Sequence, residues 1–491
     1  MTIAQTAYGP VEGREKEGVL LFSGIPYAAP PTGPRRFRAP EPHEGWKQTR
    51  QALKFYPAAP QYPTGGMTAA VPVRWDEDCL ALNIATPAID DARRPVLFWI
   101  HGGAYRTGQG NVPWYNGAQF ARNGDIVVVS INYRLGALGF TDLSRFGSEF
   151  ATSGVNGTLD QIAALRWVKD NIANFGGDPE RITIAGESAG AFSVCTLLAS
   201  PAARGLFRAA IPQSGGAQHT LPREAAKIVA DRFLEAVGAD NPMTLQALDA
   251  QAILDAQKQV AEQLDQGIDA NETLGVPVQA FYPVHGTDAL PDSPLNLIAQ
   301  GTSSGIPVMT GTNAHETTLW EYYNTDEARL ARLGEHYEAG KVLETLRRLH
   351  PDASPGDLAV ALTTDFTFRM PAVRLLEARA AADPNTPSWM YWFCWESRQF
   401  NGKLKATHAL EIPFAFDNLD KPGVDVFLGP GDVPQAVAST MHQAWIGFIR
   451  DLNPGWTPYT LERRETMRFD TESEMVMDPQ GPEREAWAGI R

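Results

Sequence analysis

The sequence of 491 residues contains only three cysteines, Cys79, Cys195 and Cys394. Their number is odd and their spacing is too wide for a disulfide framework or for the paired cysteines of a zinc site. The N-terminus lacks a basic start followed by an apolar stretch and a cleavage site of small residues, so we expect no secretory signal. Sparse cysteine and the missing signal together predict a protein of the reducing cytoplasm.

Long apolar runs and basic clusters are also missing. No run approaches the ~18 apolar residues that a membrane-spanning helix needs, so we expect no membrane association. The 57 Asp and Glu residues exceed the 42 Lys and Arg residues and give a net charge of -15. Nucleic-acid binders carry basic clusters that neutralise phosphate, so we expect no nucleic-acid partner. The oligomeric state is not encoded in any motif, and a monomer is favoured.

Short apolar blocks alternate with helical patterns in the first half of the chain. The blocks PVLFWI (95–100), IVVVSI (126–131) and RITIA (181–185) are rich in β-branched residues, which is typical of strands buried on both faces. Apolar residues recur at helical spacing between Asp160 and Asn174, and a further helical stretch covers 189–198. This alternation predicts an α/β fold with a mostly parallel central sheet and helices on both faces.

The second half contains two long helical stretches, at about 222–300 and 326–382. Strand-like blocks follow each of them, at 306–310 and 389–395. We therefore interpret both stretches as helical insertions over one sheet, and the whole chain, 1–491, as a single domain.

The motif GESAG at 186–190 follows the predicted strand 181–185 and precedes a predicted helix. This context is typical of a nucleophile elbow, in which the serine occupies a strained turn and the flanking glycines prevent collisions between strand and helix. The N-terminal end of the helix would then favour a developing oxyanion. Ser188 is the candidate nucleophile. The alternative is an ordinary glycine-rich turn with a passive serine.

An oxyanion needs backbone donors, and the motif HGGA at 101–104 supplies a candidate loop directly after the strand 95–100. Small residues allow main-chain N–H groups to approach a substrate carbonyl closely, and Ala189, which follows the nucleophile, would supply a further donor. On its own the same motif also suits an ordinary glycine turn.

Ser188 needs a base and an acid, and spacing alone leaves several choices. The hydrolase chain order of serine, acid and histidine leaves four histidines beyond position 320: His336, His350, His408 and His442. Candidate acids are Glu316, Glu321, Asp326 and Asp365. Glu316 follows a strand and a polar loop, where a carboxylate could orient an imidazole.

Metal and dinucleotide motifs are incomplete. The zinc motif HExxH, beginning at His315, requires a histidine at position 319, where the chain has Leu319. The dinucleotide motif GxGxxG, beginning at Gly108, requires a glycine at position 113, where the chain has Pro113. We therefore expect no metal and no cofactor.

The ordered motifs resemble those of the type-B carboxylesterases, the α/β-hydrolase family that includes bacterial para-nitrobenzyl esterases and animal cholinesterases. The resemblance extends over nearly the whole chain. The matching segments include FSGIPYAAPPTGPRRF (22–37), EDCLALNI (77–84), IHGGAY (100–105), INYRLGALGF (131–140), the stretch 159–191, HALEIPFAF (408–416) and WIGFIRDLNPGWTPY (445–459).

The resemblance implies a catalytic role for specific residues of the chain. The nucleophile falls on Ser188, the acid on Glu316 and the base on His408, with helical insertions over the active site. By the same resemblance, the oxyanion donors fall on Gly103, Ala104 and Ala189.

The implied activity is serine-dependent hydrolysis of small carboxylic esters, without a cofactor, in a bacterial enzyme. Aromatic residues near the motifs, Tyr105 and Trp320 among them, suggest an apolar pocket for uncharged short or medium acyl or aryl esters. Amide or carbamate hydrolysis would use the same triad. A non-catalytic binding protein of this fold is a further alternative, against which the intact triad argues.

The sequence also departs from the family pattern. Family members commonly carry an acidic residue before the triad glutamate and a glycine after it, whereas this chain has His315 and Thr317. Secreted relatives pair the cysteine at the position of Cys79 with an earlier one, and no cysteine precedes Cys79 here. That disulfide cannot form in this chain.

Overall fold

The computed structural model describes residues 2–63, 72–265 and 280–490. Thirteen strands in this part of the chain form one sheet. In chain order they are β1 (Thr2–Thr6), β2 (Gly9–Lys16), β3 (Val19–Pro26), β4 (Arg50–Gln51), β5 (Ala81–Thr86), β6 (Arg94–Ile100), β7 (Val127–Ile131), β8 (Gly177–Glu187), β9 (Ala209–Gln213), β10 (Val308–Asn313), β11 (Ser388–Phe393), β12 (Glu465–Phe469) and β13 (Glu474–Met477).

The centre of the sheet is parallel, in the order β7-β6-β8-β9-β10-β11-β12. Antiparallel strands flank it: β1, β2, β3 and β5 extend the sheet beyond β7, and β13 pairs with β12. In this register Ile100 lies between Ile131 and Gly186, so the carboxyl ends of β6, β7 and β8 meet at one edge. The predicted α/β class with a mostly parallel sheet is confirmed.

Helices account for most of the remaining ordered structure. In chain order the α-helices are α1 (Ala118–Gly124), α2 (Gly136–Phe140), α3 (Asn156–Asn171), α4 (Ala189–Ala199), α5 (Arg223–Val237), α6 (Pro242–Ala247), α7 (Ala250–Asp265), α8 (Pro294–Ala299), α9 (Glu327–His336), α10 (Gly340–Leu349), α11 (Pro355–Thr364), α12 (Met370–Ala382), α13 (Glu411–Ala415), α14 (Val424–Leu428), α15 (Gln435–Asp451) and α16 (Gly481–Ala486). A π-helical turn, Asp365–Arg369, joins α11 to α12. Of the helices in the described ranges, none combines the length and the apolar composition needed to cross a bilayer.

The residues of β6 show why the sheet has two helical layers. Val96, Phe98 and Ile100 belong to the core that includes side chains of α3 and α4. Leu97 and Trp99 belong to the core that includes side chains of α1 and α15. Because successive strand residues point to opposite faces, an apolar side chain at every position requires helices on both faces.

Two groups of helices lie in the stretches 222–300 and 326–382. Helices α5 to α8 occupy the first stretch, of which residues 266–279 lie outside the described ranges, and α9 to α12 occupy the second. Gly238 ends α5 in a left-handed conformation with φ 67°, which glycine adopts without steric cost. Helix α11 contacts the turn after β10, where the hydroxyls of Thr317 and Thr363 are 2.7 Å apart. The second helical group therefore packs against the turn that contains Glu316.

Candidate active site

Ser188 lies at the sharp turn between the end of β8 and the start of α4. Its φ of 57° and ψ of -124° are rarely adopted by a residue with a side chain. Two backbone hydrogen bonds hold the turn: Ser188 N–H donates to the Gln213 carbonyl at 3.0 Å, and Phe192 N–H donates to the Ser188 carbonyl at 2.9 Å. The strained backbone presents the serine hydroxyl at the carboxyl edge of the sheet.

The glycines of the motif are required by close backbone contact. A Cβ built on Gly190 would lie 2.1 Å from the carbonyl oxygen of Ile100, and one built on Gly186 would lie 2.6 Å from the same oxygen. No larger residue fits between β6 and the start of α4 without moving backbone. The predicted steric role of these glycines is confirmed.

The loop after β6 passes directly beside Ser188. A Cβ built on Gly102 would lie 3.0 Å from the Cβ of Ser188. The next residues, Gly103 and Ala104, have φ values of 115° and 53°. On the other side of the serine, Ala189 is the first residue of α4, so its N–H has no acceptor within the helix. The three predicted oxyanion donors thus belong to the two backbone segments that adjoin Ser188.

His408 and Glu316 form a buried pair. The distance between His408 Nδ1 and Glu316 Oε2 is 2.6 Å, and the Glu316 side chain has no exposed surface. Glu316 is held in turn, because its Oε1 accepts a hydrogen bond of 2.8 Å from the backbone N–H of Asn313. The backbone N–H of His408 also donates to the Glu316 carbonyl at 3.1 Å.

The other candidate residues lie elsewhere. Asp326 caps α9, Asp365 forms an ion pair with Arg369, and Glu321 is exposed. The remaining histidines lie in helices or at their ends: His336 in α9, His350 after α10 and His442 in α15. Of the four histidines left open by spacing, His408 is the one that contacts Glu316.

Two buried carboxyl groups that the sequence analysis did not single out adjoin this pair. Glu187 Oε1 lies 3.0 Å from His408 Nε2, although neither atom makes an aligned hydrogen bond within the described residues. Glu411 accepts hydrogen bonds from Asn313 Nδ2 at 2.7 Å and from Gln213 Nε2 at 3.2 Å. Two features of the sequence could have indicated them: the acidic residue at the second position of GESAG is Glu187, and a second acidic residue, Glu411, lies three positions after His408.

These carboxyl groups set the electrostatics of the site. Burial raises the pKa of Glu187 and that of Glu411, and the positive charge of a protonated His408 opposes both shifts. Burial alone would lower the pKa of His408, but the negative charges of Glu187 and Glu316 outweigh it and raise that pKa to about 9. The imidazole can therefore accept a proton and hold it as an ion pair with Glu316.

His315 replaces the acidic residue that commonly precedes the triad glutamate in the family. Burial lowers the pKa of His315 to about 4, with a further contribution from Lys405. The His315 side chain is therefore neutral near pH 7, and it adds no charge next to Glu316.

Two aromatic rings flank the imidazole. The ring of Trp320, whose side chain is half exposed, lies 5.1 Å from the ring of His408, and that of Phe368 lies 4.6 Å from it. Tyr105, in contrast, has no exposed surface and packs edge-on against Phe140. Tyr105 thus lies in the core behind the loop, whereas the sequence predicted it to line the pocket.

Across residues 2–63, 72–265 and 280–490, no group of three or more His, Cys, Asp or Glu side chains is arranged to hold a metal ion. The three cysteines are free thiols, of which Cys79 and Cys195 are buried.

Comparison with known proteins assigns the chain to a family. The model of the carboxylesterase family matches residues 1–487. The chain belongs to the carboxylesterase family. The protein is a carboxylic-ester hydrolase, and the resemblance found in its motifs is confirmed.

Individual relatives match the carboxylesterase over nearly its whole length. Its alignment with para-nitrobenzyl esterase of Bacillus subtilis (strain 168) is 37% identical over 498 residues and covers 98% of each chain. It is 36% identical over 511 residues to phenmedipham hydrolase of Pseudarthrobacter oxydans, covering 98% of this chain and 96% of the relative. The crystal structure of the Geobacillus stearothermophilus carboxylesterase EST55 superposes with a TM-score of 0.86 at 39% identity, covering 99% and 100% of the two chains. The α/β-hydrolase fold is thereby confirmed.

Proposed function

We propose that the carboxylesterase hydrolyses esters through a covalent acyl-enzyme on Ser188. The observation that supports this best is the 2.6 Å contact between His408 Nδ1 and Glu316 Oε2, which leaves Nε2 beside the elbow as a base. In the first step His408 Nε2 takes the proton of Ser188 Oγ while Oγ attacks the ester carbonyl carbon. The N–H groups of Gly103, Ala104 and Ala189 then stabilise the negative oxygen of the tetrahedral intermediate.

The intermediate collapses when His408 gives its proton to the departing alkoxide oxygen, and the alcohol leaves. His408 next removes a proton from a water molecule, which attacks the acyl carbonyl. Collapse of the second intermediate releases the carboxylic acid and restores the Ser188 hydroxyl. Glu316 holds the imidazole in orientation throughout.

The substrates we propose are uncharged esters with a short or medium acyl group or an aryl group. The half-exposed ring of Trp320 beside His408, with the buried ring of Phe368 behind it, offers apolar surface to such groups. The net charge of -15 disfavours anionic substrates.

A panel of p-nitrophenyl esters of increasing acyl length, with matched p-nitroanilides and carbamates, tests this proposal. We expect the highest kcat/KM for short and medium uncharged esters, and a loss of several orders of magnitude in Ser188→Ala. Ser439→Ala, at an exposed position of α15, is the control and should retain full activity. Full ester hydrolysis by a folded Ser188→Ala would overturn the mechanism, and faster cleavage of the amides or carbamates would overturn the substrate class.

We further propose a bacterial, cytoplasmic enzyme that acts as a monomer of one domain. Free thiols at Cys79 and Cys195 and the bacterial relatives support the location and origin. Ser188, Glu316 and His408 come from three distant parts of the chain, which supports a single domain. Light scattering at the monomer mass and one cooperative unfolding transition are the expected results; a dimer mass or two transitions would contradict them.

A further inference from the structure

The loop that adjoins Ser188 has an unfavourable backbone conformation. Gly103 has a φ of 115°, and the next two residues, Ala104 and Tyr105, have φ values of 53° and 57°. Residues with a Cβ rarely adopt the left-handed region, and two in succession persist only where the surrounding structure holds them. Contacts from outside the loop must therefore maintain its shape.

One such contact comes from Gln61, which lies 47 positions before Gly108 in the sequence. Gln61 is 1% exposed, and its side-chain amide pairs with both backbone groups of Gly108. Oε1 accepts from the Gly108 N–H at 2.8 Å, and Nε2 donates to the Gly108 carbonyl at 2.8 Å. Nε2 also donates to the carbonyl of Ala59 at 3.0 Å, which fixes the amide to its own segment. This paired contact fixes the position and the orientation of Gly108.

Gly108 in turn packs against the oxyanion loop. A Cβ built on Gly108 would lie 2.4 Å from the carbonyl oxygen of Gly102 and 2.4 Å from Nδ1 of His101. His101 Nδ1 is itself 2.9 Å from that carbonyl oxygen. The Gly102 carbonyl is thus confined between the imidazole of His101 and the backbone of Gly108.

The Gly102 carbonyl and the Gly103 N–H belong to the same peptide unit. Because that unit is planar and trans, the C=O and N–H bonds point in opposite directions. Fixing the direction of the Gly102 carbonyl therefore fixes the direction of the Gly103 N–H. A shift of Gly108 would release the carbonyl and turn the N–H away from the oxyanion.

We propose that Gln61 is a positioning residue for the oxyanion hole: it holds Gly108 against the Gly102 carbonyl and so aims the Gly103 N–H. The inference rests on the proposed function, in which Gly103 is an oxyanion donor. Gln61 contacts the backbone of Gly108, and its effect on the reaction passes through Gly108 and Gly102.

The test is Gln61→Met, which keeps the length of the side chain and removes both hydrogen bonds with Gly108, together with the one to Ala59. Active sites are first counted by stoichiometric labelling with a fluorophosphonate, so that kcat refers to folded enzyme. We expect kcat to fall at least ~10-fold with little change in KM. This loss should be smaller than the roughly 10²–10³-fold loss of kcat that follows complete removal of one oxyanion donor. Affinity for a trifluoromethyl ketone, which forms a tetrahedral adduct, should fall by a similar factor.

Asn171→Leu is the matched control. Asn171 is 1% exposed at the end of α3, where its amide also accepts from one backbone N–H, of Ala7, and donates to one carbonyl, of Trp167. This variant should lower the melting temperature and leave kcat per active site unchanged. If Gln61→Met fails to fold, Gln61→Glu is judged by the same criteria, because it keeps the shape and loses the donor to the Gly108 carbonyl.

A Gln61 variant with unchanged kcat per active site and unchanged trifluoromethyl ketone affinity would overturn the inference. In that case Gln61 supports stability alone. Failure of the proposed function would look different, because the wild-type enzyme itself would resist the fluorophosphonate or hydrolyse esters after labelling.

Discussion

The nucleophile elbow and the acid–base pair differ in what holds them in place. The elbow comprises five consecutive residues, 186–190, and its shape depends on backbone contacts that leave no room for a Cβ at Gly186 or Gly190. The acid–base pair joins Glu316 to His408 across 92 positions, and the pKa of its imidazole depends on the charges of buried carboxylates. The elbow should therefore be sensitive to a single added carbon atom, and the acid–base pair to the loss of a single charge.

The largest effect is expected from removing the charge of the acid. Glu316→Gln retains the size of the side chain, but an amide neither stabilises the imidazolium nor enforces the same tautomer of His408. We expect kcat to fall by about 10⁴. Steady-state kinetics with a p-nitrophenyl ester measures the effect. Asp326→Asn, which retains a residue suited to capping α9, is the control and should leave kcat unchanged.

Adding one carbon atom tests the elbow. In Gly190→Ala the new Cβ would lie 2.1 Å from the Ile100 carbonyl oxygen, so β6 and α4 must separate. We expect the free energy of unfolding in urea to fall by about 1–3 kcal/mol, with a loss of activity. At Gly340, the first residue of α10, a Cβ has no neighbour within 4 Å, so Gly340→Ala should be neutral or stabilising. Equal unfolding energies for the two variants would contradict the steric account of the elbow.

A smaller effect is expected from Glu187, which belongs to the elbow in sequence and contacts the acid–base pair. A raised pKa of His408 means that the neutral base forms only at higher pH, so kcat/KM should rise with pH through that pKa. Glu187→Gln removes a charge that favours the imidazolium, so the rising limb should move to lower pH. The exposed variant Glu335→Gln should not move it. If the rising limb of the kcat/KM profile lies at the same pH in Glu187→Gln as in the wild type, Glu187 carries no charge in the free enzyme.

The same contrast explains how much the sequence could predict. The elbow and the loop at 101–104 were predictable, because strand, glycine turn and helix follow one another in the chain. The pairing of Glu316 with His408 remained open on spacing and was chosen by resemblance to a family. Gln61 and Glu411 were not predicted, because their roles depend on which distant segments meet in the fold.

Tyr105 shows the limit of sequence position as a guide to the pocket. It follows the predicted oxyanion donors directly, yet its ring turns into the core against Phe140. Trp320, four residues after Glu316, is half exposed beside His408. Both are aromatic residues next to a motif, and only the packing of the surrounding helices distinguishes them.

The most direct test of the mechanism is to trap the acyl-enzyme. The enzyme is mixed with p-nitrophenyl acetate, quenched in acid during the first turnover and analysed by mass spectrometry of the intact protein and its peptides. The mechanism predicts one acetyl group per chain, located on Ser188, and none in Ser188→Ala. Rapid hydrolysis with the acetyl group on another residue, or unchanged turnover by folded Ser188→Ala, would contradict it.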